Sequence, residues 1–255
     1  MGKCLDEIYN LFSNPGFLNY INSNHLDTSW LIEAGCHDGT DTLKFLADQR
    51  FRRIFAFEPD PESFELASQN LVDHRDRVSL QQIALMHYPV SIKAHPWEGR
   101  FGTGSTIFEP ILDLENSCTK DGNLMASCLD EIIPNLEGKG ALWLDVEGSA
   151  LLVLQGASRV LDQIIIAQIE IDMHNQSKER QGNYLAILKL MKEHRFSLVA
   201  APIHPGYFGD ALFVKNELEG VLMKIRSYLL YSTMKILHSF VYPLLRKPKK
   251  IKANP

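Results

Sequence analysis

Short apolar runs alternate with longer amphipathic stretches along most of the chain. Trp30-Leu31-Ile32 reads as a buried strand, and a helix follows through Thr42–Gln49. Arg53–Phe57 predicts a second strand. The next helix opens near Pro61, a residue suited to a first helical turn, with Phe64, Leu66, Ala67 and Leu71 at its apolar positions. Val78–Ile83 predicts a third strand. Ala141–Leu144 predicts a fourth, followed by a helix carrying Leu151, Leu152, Val153 and Leu154. Ile164–Ile171 is a β-branched fifth strand and Tyr184–His194 a helix after it, while Phe196–Ala200 and Ala211–Val214 complete about seven strands. Strands separated by helical patterns predict an α/β fold, with a mostly parallel sheet covered by helices on both faces.

Two regions fall outside that alternation. Residues 3–24 read as one or two short helices broken at Asn14-Pro15-Gly16. Met86–Lys139 has poor periodicity and holds Trp97 and the run Gly99-Arg-Phe-Gly102-Thr-Gly104-Ser105-Thr106. So long a connection is expected to carry minor strands or helices of its own, on the substrate side of the domain. The organisation is then a helical segment at 1–28, an α/β domain at 29–216, and a C-terminal helix and tail at 217–255.

Composition changes this picture in one respect. The net charge is −5, but no acid follows Glu219 while eight cations do, which leaves −13 on residues 1–219. The four cysteines (Cys4, Cys36, Cys118, Cys128) show no metal-ligand spacing and read as reduced thiols. No stretch has the apolar length of a membrane span, and residues 1–30 are too polar for a secretory leader. A cytoplasmic protein is expected.

The candidate chemistry sits on the turn leaving the first strand, Glu33-Ala34-Gly35-Cys36-His37-Asp38-Gly39-Thr40. Ligands of open α/β sheets bind beyond the carboxyl ends of the strands. A pyrophosphate binder would have G-x-G-x-x-G, and this loop has only Gly35 and a displaced Gly39; no Walker lysine follows. The loop suits a ligand without pyrophosphate, and the acid at its head, Glu33, suits one carrying positive charge. Glu58-Pro59-Asp60 ends the second strand, where a carboxylate accepts ribose hydroxyls. If that is the only task of Glu58, its loss leaves the stability of the empty protein unchanged. Together these features point to a nucleoside that carries an amino acid and a sulfonium.

Three segments resemble the FkbM-type methyltransferases of the class I S-adenosylmethionine-dependent fold. They are Leu31-Ile-Glu33-Ala-Gly35-Cys-His-Asp-Gly39-Thr, Ile54-Phe-Ala-Phe-Glu58-Pro59-Asp60, and Leu144-Asp145-Val-Glu147-Gly148 running on to Gly156. Ile169-Glu170 and Asp210-Ala-Leu-Phe213-Val are similar as well. The resemblance spans about Trp30 to Val214. It implies strand order 3-2-1-4-5-7-6 with an antiparallel final hairpin, S-adenosylmethionine as cofactor, and O-methylation of a sugar or other small-molecule hydroxyl. The cofactor residues are then Glu33, Gly35, Cys36, His37, Gly39, Thr40, Glu58, Pro59 and Asp145, with Gln82 and Ile83 beside the adenine. The family's loop commonly begins with Asp and continues Gly-Ala-Asn; here Cys36 and His37 are where this chain is expected to differ chemically.

Asp145, Glu170 and Asp172 leave adjacent strands at the same edge. One reading is a Mg²⁺ site that acidifies the acceptor hydroxyl; the other is that Asp145 and Glu147 cap the following helix and bond loop amides, preferred for Glu147. Asp145 is expected to line the active site, and His174 is the first choice of general base, ahead of His37 and His204. A non-catalytic cofactor-binding scaffold and a nucleotide-dependent oxidoreductase are the alternative functions. Residues 221–242 form an amphipathic helix, with Leu222, Ile225, Leu229, Ile236 and Phe240 on one face. A helix docked on the domain or on a dimer partner is preferred, and peripheral contact with an anionic membrane is the alternative. Nucleic acid is not expected, because an acidic body repels phosphate.

Overall fold

A computed structural model describes residues 15–94, 108–110, 123–146, 148–172, 184–201, 208–218 and 221–236. Helix α1 (Phe17–Ser23) leads into strand β1 (Trp30–Ala34), helix α2 (Thr40–Leu46), β2 (Arg53–Phe57), α3 (Pro61–Asn70) and β3 (Val78–Gln81). After an excursion come β8 (Gly140–Leu144), the short helices α5 (Ala150–Gln155) and α6 (Ser158–Leu161), and β9 (Ile164–Asp172). Helix α7 (Tyr184–Glu193), β10 (Phe196–Ala200), β11 (Phe208–Lys215) and α8 (Val221–Ile236) close the described chain.

One seven-stranded sheet, ordered β10-β11-β9-β8-β1-β2-β3, organises these elements. Counted in chain order within that sheet, the strands run 3-2-1-4-5-7-6. Strand β11 is antiparallel to both its neighbours, and the remaining pairs are parallel. Side chains along a strand alternate between faces, and the core divides accordingly. Trp30, Ile32 and Ala34 of β1 join Leu142 and Leu144 of β8 in a cluster that also takes in α5, α6, α7 and α8. Leu31 and Ala141 point the other way, into a second cluster with Phe17, Phe45 and Ala67 from α1, α2 and α3. Phe17 and Phe45 meet the Trp143 ring at 5.4 and 5.2 Å, a packing of aromatic edges and faces that seals this side.

Several boundaries shift from the sequence reading for local reasons. Helix α2 begins at Thr40 because Gly39, in the left-handed region at φ 82°, turns the chain into it. Strand β3 stops at Gln81; Ala84–Leu85 forms β4, which pairs with a different sheet. That sheet is the order found within the long excursion, where β5 (Val90–Ala94), β6 (Phe108–Pro110) and β7 (Asn123–Ser127) complete a four-stranded layer β4-β7-β5-β6. A single turn, α4 (Leu129–Ile132), returns the chain to the main sheet. The run Gly99–Thr106 lies outside the described residues.

Helix α8 packs against β10 through Ser227, Leu230 and Met234, all buried, and borders a cleft of about 300 Å³ lined by Leu188, Phe196, Phe213 and Tyr231. This corrects the expected docking face. Ile225 and Leu229, on the apolar stripe read from sequence, are 53% exposed. The helix carries apolar residues on two faces, and the domain covers the other one.

Gly156 shows how the small sheet is seated. A Cβ there would meet the Met86 carbonyl oxygen at 2.4 Å and the Cys128 Cβ at 2.7 Å, so the end of α5 and the end of β4 touch backbone to side chain with no room for a methyl group. Gly156→Ala should therefore destabilise the protein by roughly 1–3 kcal/mol through overpacking, read as a lower midpoint of chemical unfolding. An unchanged midpoint would mean that the end of α5 and the small sheet are not in this contact.

Candidate active site

The glycine loop is clamped between two strands. The amides of Gly35 and Cys36 both donate to the Phe57 carbonyl, at 2.9 and 3.0 Å, so the loop folds over the carboxyl end of β2. The next amide, that of His37, donates to Glu58 Oε2 at 2.8 Å. On the other side the Asp145 amide donates to the Ala34 carbonyl at 3.0 Å. A Cβ on Gly35 would lie 1.8 Å from the Asp145 carbonyl oxygen, and Gly35 sits at φ 82°. Both facts demand glycine at this position.

His37 also adopts a positive φ, 49°. Short polar side chains and histidine tolerate that region far better than branched ones, so His37 is compatible with the backbone the loop requires. Cys36 is 4% exposed and packs in the α1–α3 cluster. Burial, with the nearby Glu33 and Glu58 carboxyls, pushes its thiol pKa up. The two departures in the loop thus keep its backbone and its packing, and the Cys36 thiol is a small core group. Asp38 Oδ1 accepts from the Thr40 amide at 3.0 Å, which closes the turn into α2.

Glu58 does more than wait for a ligand. Its Oε2 accepts from His37 and its Oε1 from the Asp60 amide at 2.9 Å, so one buried carboxyl ties the glycine loop to the start of α3. Burial raises its pKa, opposed by those two amides. Asp60 caps α3 by accepting from the Ser63 amide at 2.8 Å, with Pro61 at the first helical position. The His37 and Asp60 amides give Glu58 partners in the empty protein that the sequence reading did not include.

Glu33 is fully buried. Its Oε2 accepts from Thr42 Oγ1 at 2.7 Å, and its Oε1 has no hydrogen-bond partner among the described residues. Burial is the main reason its pKa is pushed up to about 8, with the Asp41 and Asp145 charges adding to it against the Thr42 bond. At neutral pH Glu33 carries a proton, so the empty site presents a carboxylic acid where the sequence suggested an anion. Thr42 and Asp60, which hold these acids, were not singled out beforehand; the capping pattern Asp60-Pro61-Glu62-Ser63 was the available signal for one of them.

The remaining sequence candidates divide. Asp145 is exposed just beyond β8, level with Glu170 of β9 through the Leu144–Ile169 pair, and Glu170 pairs in turn with Asp210 of β11. Gly148 has φ 89°, and among the described residues nothing lies within 4 Å of where its side chain would stand. Pro59 is half-buried, Gln82 exposed, and Ile83 packed against the main core beside the end of β3. Asp172 ends β9, while Glu147, His174 and His204 lie outside the described residues. Among the described residues no three His, Cys, Asp or Glu side chains gather as a metal site.

Two outcomes follow from the buried acids. Between the ordinary glutamate pKa near 4.5 and about 8, folded Glu33 holds a proton that the unfolded chain has lost. Stability should fall across that window as pH rises, by at most roughly 1.4 kcal/mol per pH unit for this group, and level off above it. Glu33→Gln should flatten the slope of melting temperature against pH, leaving the part that belongs to Glu58; an unaltered slope would show that Glu33 is already ionised. Glu58→Ala should lower the stability of the empty protein by about 1–3 kcal/mol, since the buried Asp60 amide and the part-buried His37 amide lose their acceptor. No loss in urea unfolding would mean that the His37 and Asp60 contacts carry nothing.

Residues 33–198 match the profile described as the Methyltransferase FkbM domain. The 2-O-methyltransferase NoeI of Sinorhizobium fredii (strain NBRC 101917 / NGR234) is 27% identical over 199 residues, covering 74% of this chain and 80% of that protein. Among solved structures, the methyltransferase FkbM from Methylobacillus flagellatus KT is 16% identical with a TM-score of 0.49; the match covers 82% of this chain but only half of that one. A putative rRNA methylase from Clostridium thermocellum is 14% identical with a TM-score of 0.45, covering 77% of this chain and 92% of that one. With the family profile spanning most of the α/β domain, this chain belongs to the FkbM methyltransferases.

Proposed function

We propose that this methyltransferase draws its methyl group from S-adenosylmethionine and transfers it to a hydroxyl of a small molecule or carbohydrate. The observation that carries the reading is the meeting of the three matched segments at one sheet edge. The loop Gly35–Gly39 is bonded to Glu58 on one side and packed against the Asp145 backbone on the other. The residues suit that cofactor: Gly35 lets the backbone pass close, Gly148 leaves open space among the described residues, and the two carboxylate oxygens of Glu58 each keep a lone pair beyond the amide they already accept. The buried Oε1 of Glu33, without a partner among the described residues, is a polar group in reserve at the head of the loop.

When bound, the cofactor supplies a methyl group activated by its sulfonium, so the protein's task is chiefly orientation. Glu58 accepts the ribose hydroxyls. The loop Gly35–Gly39, with Thr40 at its helix entrance, would line the amino-acid end, and Gln82 and Ile83 would stand at the adenine side of β3. Asp145, exposed at the edge of β8, orients the acceptor hydroxyl, and His174, which follows β9 in sequence, takes its proton. Support for an oxygen acceptor comes from the 2-O-methyltransferase among the relatives. The minor sheet β4–β7 is assigned to the acceptor's side of the site.

Isothermal titration should show one S-adenosylmethionine bound per chain, and labelled methyl transfer to a panel of glycans and hydroxylated small molecules should find an acceptor. Asp145→Asn should then cut kcat by about 100-fold or more while leaving cofactor affinity within a few-fold. A folded protein that binds no S-adenosylmethionine would overturn the proposal, and tight NAD binding would replace it with a redox function. Cofactor binding without turnover on any acceptor would favour a scaffold.

A further inference from the structure

Helix α8 has a covered face and an uncovered one. Ser227, Leu230 and Met234 recur at helical spacing and are buried against the domain. Ile225 and Leu229, one turn apart on the opposite side, are each 53% exposed, and Tyr228 beside them is 70% exposed. At 100° per residue, positions 221, 222 and 236 continue this outer stripe, and their residues are Val, Leu and Ile. The same step sets positions 224 and 235 along one flank and 226 along the other, and these are Lys, Lys and Arg. An apolar stripe bordered on both sides by cations is the pattern of a helix lying in a lipid interface, whose cations reach outward to phosphate.

Charge selects the occupant. Residues 220–255 contain eight cations and no acid, five of them within Arg246–Lys252, and they adjoin a body carrying −13. These cations have the sign that an anionic surface attracts, opposite to that of the body, and clusters of this size beside an amphipathic helix mark attraction to acidic lipid headgroups. A second copy of the chain fits less well. A stable dimer buries about 800 Å² on each partner, whereas a stripe along 16 helical residues, about 24 Å long and 10 Å wide, offers roughly a third of that. None of the described helices is long and apolar enough to cross a membrane, so contact is in the plane of the surface.

We propose that α8 is a peripheral membrane-docking element, with the Ile225–Leu229 stripe entering the headgroup layer of an anionic bilayer. The basic segment that follows holds it there electrostatically. The glycine loop and Glu58 lie on other elements of the sheet, so docking is separable from cofactor binding. Its consequence for the enzyme is an acceptor presented at, or embedded in, that surface.

Co-sedimentation of the full chain with vesicles tests this without reference to catalysis. The protein should pellet with phosphatidylglycerol-rich vesicles and stay in solution with pure phosphatidylcholine, and the binding should weaken as salt rises. Ile225→Glu with Leu229→Glu should reduce binding by about tenfold or more at an unchanged melting temperature. Should that pair unfold the chain, Ile225→Ser with Leu229→Ser carries the same expectation. Failure of the intact protein to pellet would overturn the proposal, as would stripe variants that bind like the parent. A lipid-free dimer that the same variants dissociate would assign the stripe to a second copy instead.

Discussion

The buried carboxyl of Glu58 is the constraint on which the site depends. Its two oxygens accept amides from two separate segments, His37 in the glycine loop and Asp60 at the start of α3. A carboxyl buried this deeply is costly unless it is hydrogen-bonded, and those amides are what make its position tenable. In return it fixes the distance between the loop and the end of β2. Everything placed by the loop, including the entrance to α2 at Gly39 and the packing of Gly35 on Asp145, inherits that distance. In the proposed function Glu58 accepts ribose hydroxyls, and these two hydrogen bonds hold it in place before a ligand arrives.

The parallel register supplies the rest. Ala34, Phe57 and Leu144 end three adjacent strands at one level, because Ala34 pairs with both Phe57 and Leu144. The chain can leave all three together only if it avoids collision, and at Gly35 the clearance is so small that any side chain would strike the Asp145 carbonyl. Close approach here is bought with a glycine. The same register carries Glu170 and Asp210 to the level of Asp145, and so builds an acidic edge from three strands far apart in sequence.

Much of this was legible in the sequence because parallel strands buried on both faces leave a strong signature. Ile32, Phe55 and Ile166 sit in continuous apolar runs, and Gly35, Gly39 and Glu58 stand where such strands end. Order in the excursion was anticipated, but not that Ala84–Leu85 would leave the third strand to join it, since a two-residue strand has no period to read. Nor could the sequence tell that Glu58 has structural partners, because the donors are backbone amides, which every residue carries. Glu33 illustrates the same limit. Its acid character is visible in the letter code, but the proton it holds comes from burial within the α1–α3 side of the sheet. For α8, amphipathic spacing identified the helix and mistook its covered face, because both faces carry apolar residues and only the packing on β10 distinguishes them.

The central claim is that the crevice bordered by Glu58, the Gly35–Gly39 loop and Asp145 is where the cofactor lies. Hydrogen–deuterium exchange with and without S-adenosylhomocysteine addresses it most directly. The amides of residues 35–40 and 58–60, with those around Asp145, should become protected, while the region of α7, β10 and α8 stays unchanged. Protection confined to the cleft beneath α8, or no protection at the loop in a sample that binds the ligand, would contradict the account.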